Sequence, residues 1–257
     1  MILAADIGNT NIVLGVFHGD ALCFTARLPS HPQQSETDYL SAFRTQLAEL
    51  GTAPTDWEGA ILSSVVPALT PIVAAALETL TGRAPLIVNG AFHHGLAIKN
   101  YDPTRLGSDR IVDAVAALAR YPAPLAIFDL GTATTLSVLD REGAFIGGMI
   151  LAGLRLGVDA LSARGAQLPP VQLAEPASLL GTDTATCIQS GAVYGAAALL
   201  DGLTERVEEK LGVPVNLVVT GGLAGLVTPH CRHPLHYDEH LLLRGLYLLF
   251  QRNQSSD

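Results

Sequence analysis

Long apolar runs are missing from this chain. No stretch reaches the roughly 18 apolar residues that a membrane-spanning helix needs. The longest candidate, Ile111 to Phe128, is broken by Asp113, Arg120, Pro122 and Pro124. A leader pattern is missing too: Asp6 interrupts the N-terminal apolar stretch, and no basic segment precedes it. Cysteine is scarce. Cys23, Cys187 and Cys231 are far apart, odd in number and form no CxxC, which reads as reduced thiols in a cytoplasmic protein. Basic residues are outnumbered, 15 Lys and Arg against 24 Asp and Glu, a net charge of −9. That excludes the broad basic face that displaces counterions from a nucleic acid. It leaves room for one small anion held by local N–H donors. Neither GxxxxGK[ST] nor GxGxxG occurs, so neither a Walker A loop nor a Rossmann site is expected.

What is present begins with enough chain for a large core: 257 residues, 49% hydrophobic, as one large domain or two smaller ones. An apolar strand, Ile2 to Ala5, runs into Asp6-Ile7-Gly8-Asn9-Thr10-Asn11, and a second apolar run from Ile12 through Val13 to Phe17 leaves it. Strand, tight polar turn, strand predicts a hairpin. Gly8 lets backbone N–H groups approach an anion closely, and Asp6 can orient a hydrated Mg2+. Taken alone, such a turn is also what ordinary hairpins use, since Asn, Asp and Gly are the commonest turn residues.

The same pattern returns. Leu125 to Phe128 leads into Asp129-Leu130-Gly131-Thr132-Ala133-Thr134-Thr135, followed by Leu136 to Leu139. Asp6 matches Asp129, Gly8 matches Gly131, Asn9 matches Thr132 and Asn11 matches Thr134, a constant offset of 123 (129 minus 6). A turn and a third strand follow in both places. A repeat of this length means two similar domains, and two matching turns suggest one ligand clamped between them. After the first meander, Ser-Glu-Thr-Asp from Ser35 predicts a capped helix through Leu50 that Gly51 ends. Thr70-Pro71 opens a second helix. Residues His93 to Leu106 read as loop, then Ser108-Asp109-Arg110 opens a helix to about Arg120. Helices are expected over 184–211 and about 241–253, with a strand from Val213 ending in Thr220-Gly221-Gly222. The stretch His230 to His240 holds four histidines and Cys231, but its spacing fits no zinc finger and it reads as a histidine-rich surface loop.

The two turns and the glycine pair resemble the superfamily of acetate and sugar kinases, heat-shock chaperones and actin. Within it, DIGNTNIVLGVF, SSVVP, GSDRIV, DLGTATT, GGMI, GTDT with the following QSG, and TGGLA are similar, in order, to the blocks of the type III pantothenate kinases. The resemblance covers residues 1 to about 225. It implies an α/β fold of duplicated ribonuclease-H-like (actin-like ATPase) domains, each a mixed sheet with flanking helices, with a cleft between. The expected division is 1–120 and 121–257, the second carrying the dimer contact and the adenine side.

It further implies ATP-dependent phosphorylation of pantothenate, the first step towards coenzyme A, by a homodimer using Mg2+ with ATP and a monovalent cation, K+ or NH4+. ATP contacts fall on Asp6 to Val13, including Ile7 and Ile12, and on Thr132, Gly221 and Gly222. The general base falls on Asp109, although an acidic residue in a first helical turn also suits the helix dipole. Tyr101, Gly107, Ser108 and Arg110 fall on the substrate, with Ser108 where Ala is usual. Thr184 is expected to reach the partner subunit's substrate, and Asp129 is expected at the K+ site. The rival readings are a related kinase with another hydroxylated substrate and a non-catalytic transcriptional accessory relative.

Overall fold

The computed structural model describes residues 1–49 and 56–254; the expected helix end at Leu50 and Gly51 lies outside them. β1 (Ile2–Ile7), β2 (Asn11–His18) and β3 (Ala21–Pro29) form the antiparallel meander. α1 (Glu36–Ala48), β4 (Gly59–Ser64), α2 (Thr70–Thr81) and β5 (Leu86–Ile87) follow. The sheet order is β3-β2-β1-β4-β5, so β1 has an antiparallel neighbour on one side and the parallel β4 on the other. The predicted cap of α1 forms in full: the Ser35 hydroxyl accepts from the Asp38 N–H, while the Asp38 carboxylate accepts from the Ser35 N–H at 2.9 Å. Tyr39, Phe43 and Leu47 of α1 and Val73, Ala76 and Leu77 of α2 bury one face of this sheet against Leu3, Ile7, Ile12 and Leu14.

The second half repeats the plan. After α3 (Ser108–Arg120) come β6 (Leu125–Leu130), β7 (Ala133–Leu139), β8 (Phe145–Ala152), α4 (Leu154–Arg164), α5 (Thr184–Leu211), β9 (Asn216–Thr220), α6 (Ala224–Val227), β10 (Leu235–Tyr237) and α7 (Leu241–Gln254). The order β10-β9-β6-β7-β8 has the same directions, with β6 antiparallel to β7 and parallel to β9. Ala197, Leu200 and Val207 of α5 cover Phe128, Leu130 and Leu136. No helix among the described residues is long and apolar enough to cross a membrane.

Contacts group the chain into two compact units whose limits are not those of a simple division at residue 120. The first holds Met1–Leu96, Tyr101–Ala116 and the chain from Leu241; the second holds Ala97–Asn100 and Ala117–His240. The last helix therefore belongs with the first sheet, where it packs on β1, β2 and β4. Bare backbone makes room for it. A Cβ on Gly15 would stand 2.9 Å from the Leu243 side chain, and one on Gly245 would stand 2.4 Å from the Val112 carbonyl. Part of the expected 93–106 loop is also recruited: the Lys99 N–H donates to the Phe145 carbonyl and the Phe145 N–H donates to the Ala97 carbonyl, both at 2.8 Å, so Ile98 pairs with the first residue of β8. Gly245→Val should lower unfolding stability by about 2–3 kcal/mol, read from the urea midpoint at unchanged m-value.

Candidate active site

β1 delivers Asp6 at its last position but one, half-buried, with Ile7 beyond it wholly buried. The Gly8 N–H donates to the Asn11 carbonyl at 2.9 Å and closes the turn. The end of β3 clamps it from outside: the Ser30 N–H donates to the Thr10 carbonyl at 2.9 Å and its hydroxyl to the Gly8 carbonyl at 2.7 Å. Nothing in the motif pointed to Ser30, whose role comes from strand pairing. Asn9 and Thr10 are exposed, and Asn11 and Val13 partly so. Ile7 and Ile12 lie in the core at 0% exposure, which leaves only their main-chain atoms for a ligand.

The second turn sits at the same place on β6, but it is one residue shorter. Asp6 faces Val13 across its hairpin and Asp129 faces Thr135, positions 122 apart (135 minus 13). The offset of 123 therefore holds only up to the turn, and Asn11, which opens β2, corresponds to Ala133, which opens β7, rather than to Thr134. The Gly131 N–H donates to the Ala133 carbonyl at 3.1 Å. Gly221 lies against this strand end in a left-handed conformation, φ 98°. A Cβ there would fall 2.3 Å from an Asp129 carboxylate oxygen, so only glycine lets the TGG backbone approach. Asp129, exposed Thr132 and the Gly221-Gly222 pair are thus gathered at one end of the second sheet.

The Tyr101–Arg110 segment belongs to the first unit. Gly107 precedes α3, and its missing Cβ is the space into which Asp109 curls: a Cβ would stand 2.3 Å from Asp109 Oδ1. That oxygen accepts the Arg110 N–H at 2.8 Å. Loss of water around the half-buried carboxyl pushes its pKa above the usual carboxylate range, against the opposing pull of the Arg110 amide and guanidinium. Arg110 is only 6% exposed. Burial pulls its pKa down, while Tyr101, which accepts a hydrogen bond from it, and Asp109 hold it up. The Ser108 hydroxyl is buried and bonded to the end of β4. Thr184 is exposed at the first turn of α5, which Asp183 caps, in the second unit.

Among the described residues no group of three His, Cys, Asp or Glu is placed to hold a metal. A single carboxylate at Asp6 nonetheless suits Mg2+, which keeps most of its waters and takes further oxygens from phosphates. The histidine-rich stretch is more engaged than a surface loop. His230 Nε2 lies 2.8 Å from Glu175 and His233 Nε2 3.3 Å from Glu208, while exposed His236 stacks on Tyr121 within β10.

Two five-stranded mixed sheets with one topology, each with an acidic residue one position before the end of its central strand and a tight turn after it, define the actin-like ATPase fold that sugar kinases share. Solved structures agree. A ROK hexokinase from Thermus thermophilus covers 99% of each chain at TM-score 0.50 and 17% identity. A Campylobacter jejuni protein described as a Baf family transcriptional activator covers 98% of this chain and 99% of its own at TM-score 0.60 and 20% identity. The family model for type III pantothenate kinase matches residues 2–206. Relatives of that name include one from Moorella thermoacetica, 37% identical over 98% of this chain and 100% of its own. Another, from an Exiguobacterium species, is 38% identical over 99% and 100%. The chain belongs to the type III pantothenate kinase family.

Asp109 makes the fold weaker at neutral pH. Its carboxyl ionises less readily folded than unfolded, so its contribution is intact below the unfolded value of about 3.9 and is lost as pH rises through the folded value. Asp109→Asn should therefore raise the thermal midpoint at pH 7, with the gain vanishing below about pH 4.

Proposed function

We propose that this chain transfers the γ-phosphate of ATP to the terminal hydroxyl of pantothenate, giving 4'-phosphopantothenate at the entry to coenzyme A synthesis. Family membership over most of the chain supports the reaction. The observation that carries the mechanism is Asp109, curled over Gly107 beside buried Arg110, with burial raising its pKa and so its affinity for a proton. A general base works best when its pKa nears the working pH. Asp109 takes the proton of the attacking hydroxyl as the oxygen bonds the γ-phosphorus and the bond to the β-bridging oxygen breaks, releasing ADP. Arg110 binds the substrate carboxylate, Tyr101 holds Arg110, and the backbone at Gly107 borders the same place.

The first turn, Asp6 to Val13, takes the phosphates through main-chain N–H groups and the Asn9, Thr10 and Asn11 side chains, and Thr132 is a further ATP contact. Gly221 and Gly222 offer flat backbone to the adenosine. Asp6 orients the waters of Mg2+, which supplies charge neutralisation to the phosphates when bound. Asp129, with nearby carbonyl oxygens, suits K+ or NH4+. We place the enzyme in the cytoplasm as a homodimer, with Thr184 reaching the partner's substrate. The second unit exposes Met149, Ile150 and Leu156, as well as Leu161, Leu179 and Leu180, apolar surface of the kind that marks an interface.

ADP release should require pantothenate and should be faster in K+ than in Na+. Asp109→Asn should lower kcat by about 10²- to 10⁴-fold while the protein stays folded. Wild-type turnover in that variant rejects the mechanism, and ADP release without dependence on pantothenate rejects the substrate. Ile150→Glu should convert dimer to monomer in sedimentation if the apolar surface is the interface.

A further inference from the structure

We propose that Ser108 is a positioning residue, one whose hydroxyl fixes the start of α3 to the end of β4 and so sets where Asp109 stands. The inference rests on the reading of Asp109 as general base.

Alternate residues of β4 face opposite neighbours. The Val65 N–H donates to Ile7 of β1 at 3.0 Å, whereas the Leu62 carbonyl accepts from Val88 on the β5 side at 2.9 Å. By that alternation the N–H and carbonyl of Ser64 also point to the β5 side, but β5 ends at Ile87. The Ser108 hydroxyl stands in for the absent strand. It accepts from the Ser64 N–H at 3.2 Å and lies 3.0 Å from the Ser64 carbonyl and 3.0 Å from the Ser63 hydroxyl.

A hydroxyl has one proton to give and two lone pairs. All three bonds are satisfied when Ser108 donates to the Ser64 carbonyl and accepts from the Ser63 hydroxyl. Ser63 is 0% exposed and Ser108 7%, so water cannot readily replace what a deletion removes. The Ser64 hydroxyl in turn accepts from Thr70 at 2.8 Å, tying the first residue of α2 to the same point.

Full-length Ser108→Ala and Ser108→Thr test it. Ser108→Ala should lower kcat about tenfold, the scale expected when a reacting group is slightly misplaced, with KM for ATP within about twofold and a shifted acid limb of the kcat–pH profile. Ser108→Thr, which keeps the hydroxyl, should recover most of kcat. The Ser64 amide should exchange faster with solvent deuterium in Ser108→Ala alone. Unchanged kcat in Ser108→Ala with a lowered melting temperature overturns the positioning role, and unchanged Ser64 exchange overturns the anchor. Asp109→Asn assayed alongside separates the two readings. If it is inactive while Ser108→Ala is fully active, only the anchor's role fails; if it is active, the general base fails and the proposal with it.

Discussion

The central strand of each sheet has neighbours on both sides, and most of what this molecule does follows from that. β1 and β6 spend their backbone groups on an antiparallel partner and a parallel one. Their side chains are buried on both faces, so a carboxylate within the strand would lie unsolvated in the core. The tolerated place for one is the strand end, where water and the following turn can reach it. Asp6 and Asp129 occupy that place. The parallel partner then brings a second strand end alongside: Ser63 beside Asp6 and Thr220 beside Asp129. A duplicated sheet thus yields a duplicated polar site without any change of plan.

That logic explains what could be read from the residues. An apolar run ending in Asp-x-Gly is a local pattern, so both turns, the repeat and the order of helices and strands were visible. Helix starts were visible because capping is local, as at Ser35. Pairing over distance was not. The one-residue difference between the turns appears only when Val13 and Thr135 are seen opposite the two aspartates. The Leu-His-Tyr of β10 is too short and polar to announce a strand. The amphipathic pattern of 241–253 says that α7 must bury a face, but not in which unit.

Glycine in these sites serves more as space than as flexibility. Gly107 and Gly221 come from different motifs, yet each omits a Cβ that would strike a carboxylate oxygen at 2.3 Å. In one case the vacated volume seats the side chain of Asp109; in the other it admits a strand end beside Asp129. A motif reading assigns such glycines to phosphate approach or to a turn. The geometry assigns them to the placement of an acid.

The return of the last helix to the first sheet bears on how the chain is made. A ribosome extends a protein from its N-terminus, and domains generally fold as they emerge. The first sheet leaves the ribosome earliest, yet α7, which covers β1 and β4, is synthesised after every residue of the second unit. The second unit can close while translation continues. The first must wait with one face uncovered until α7 emerges.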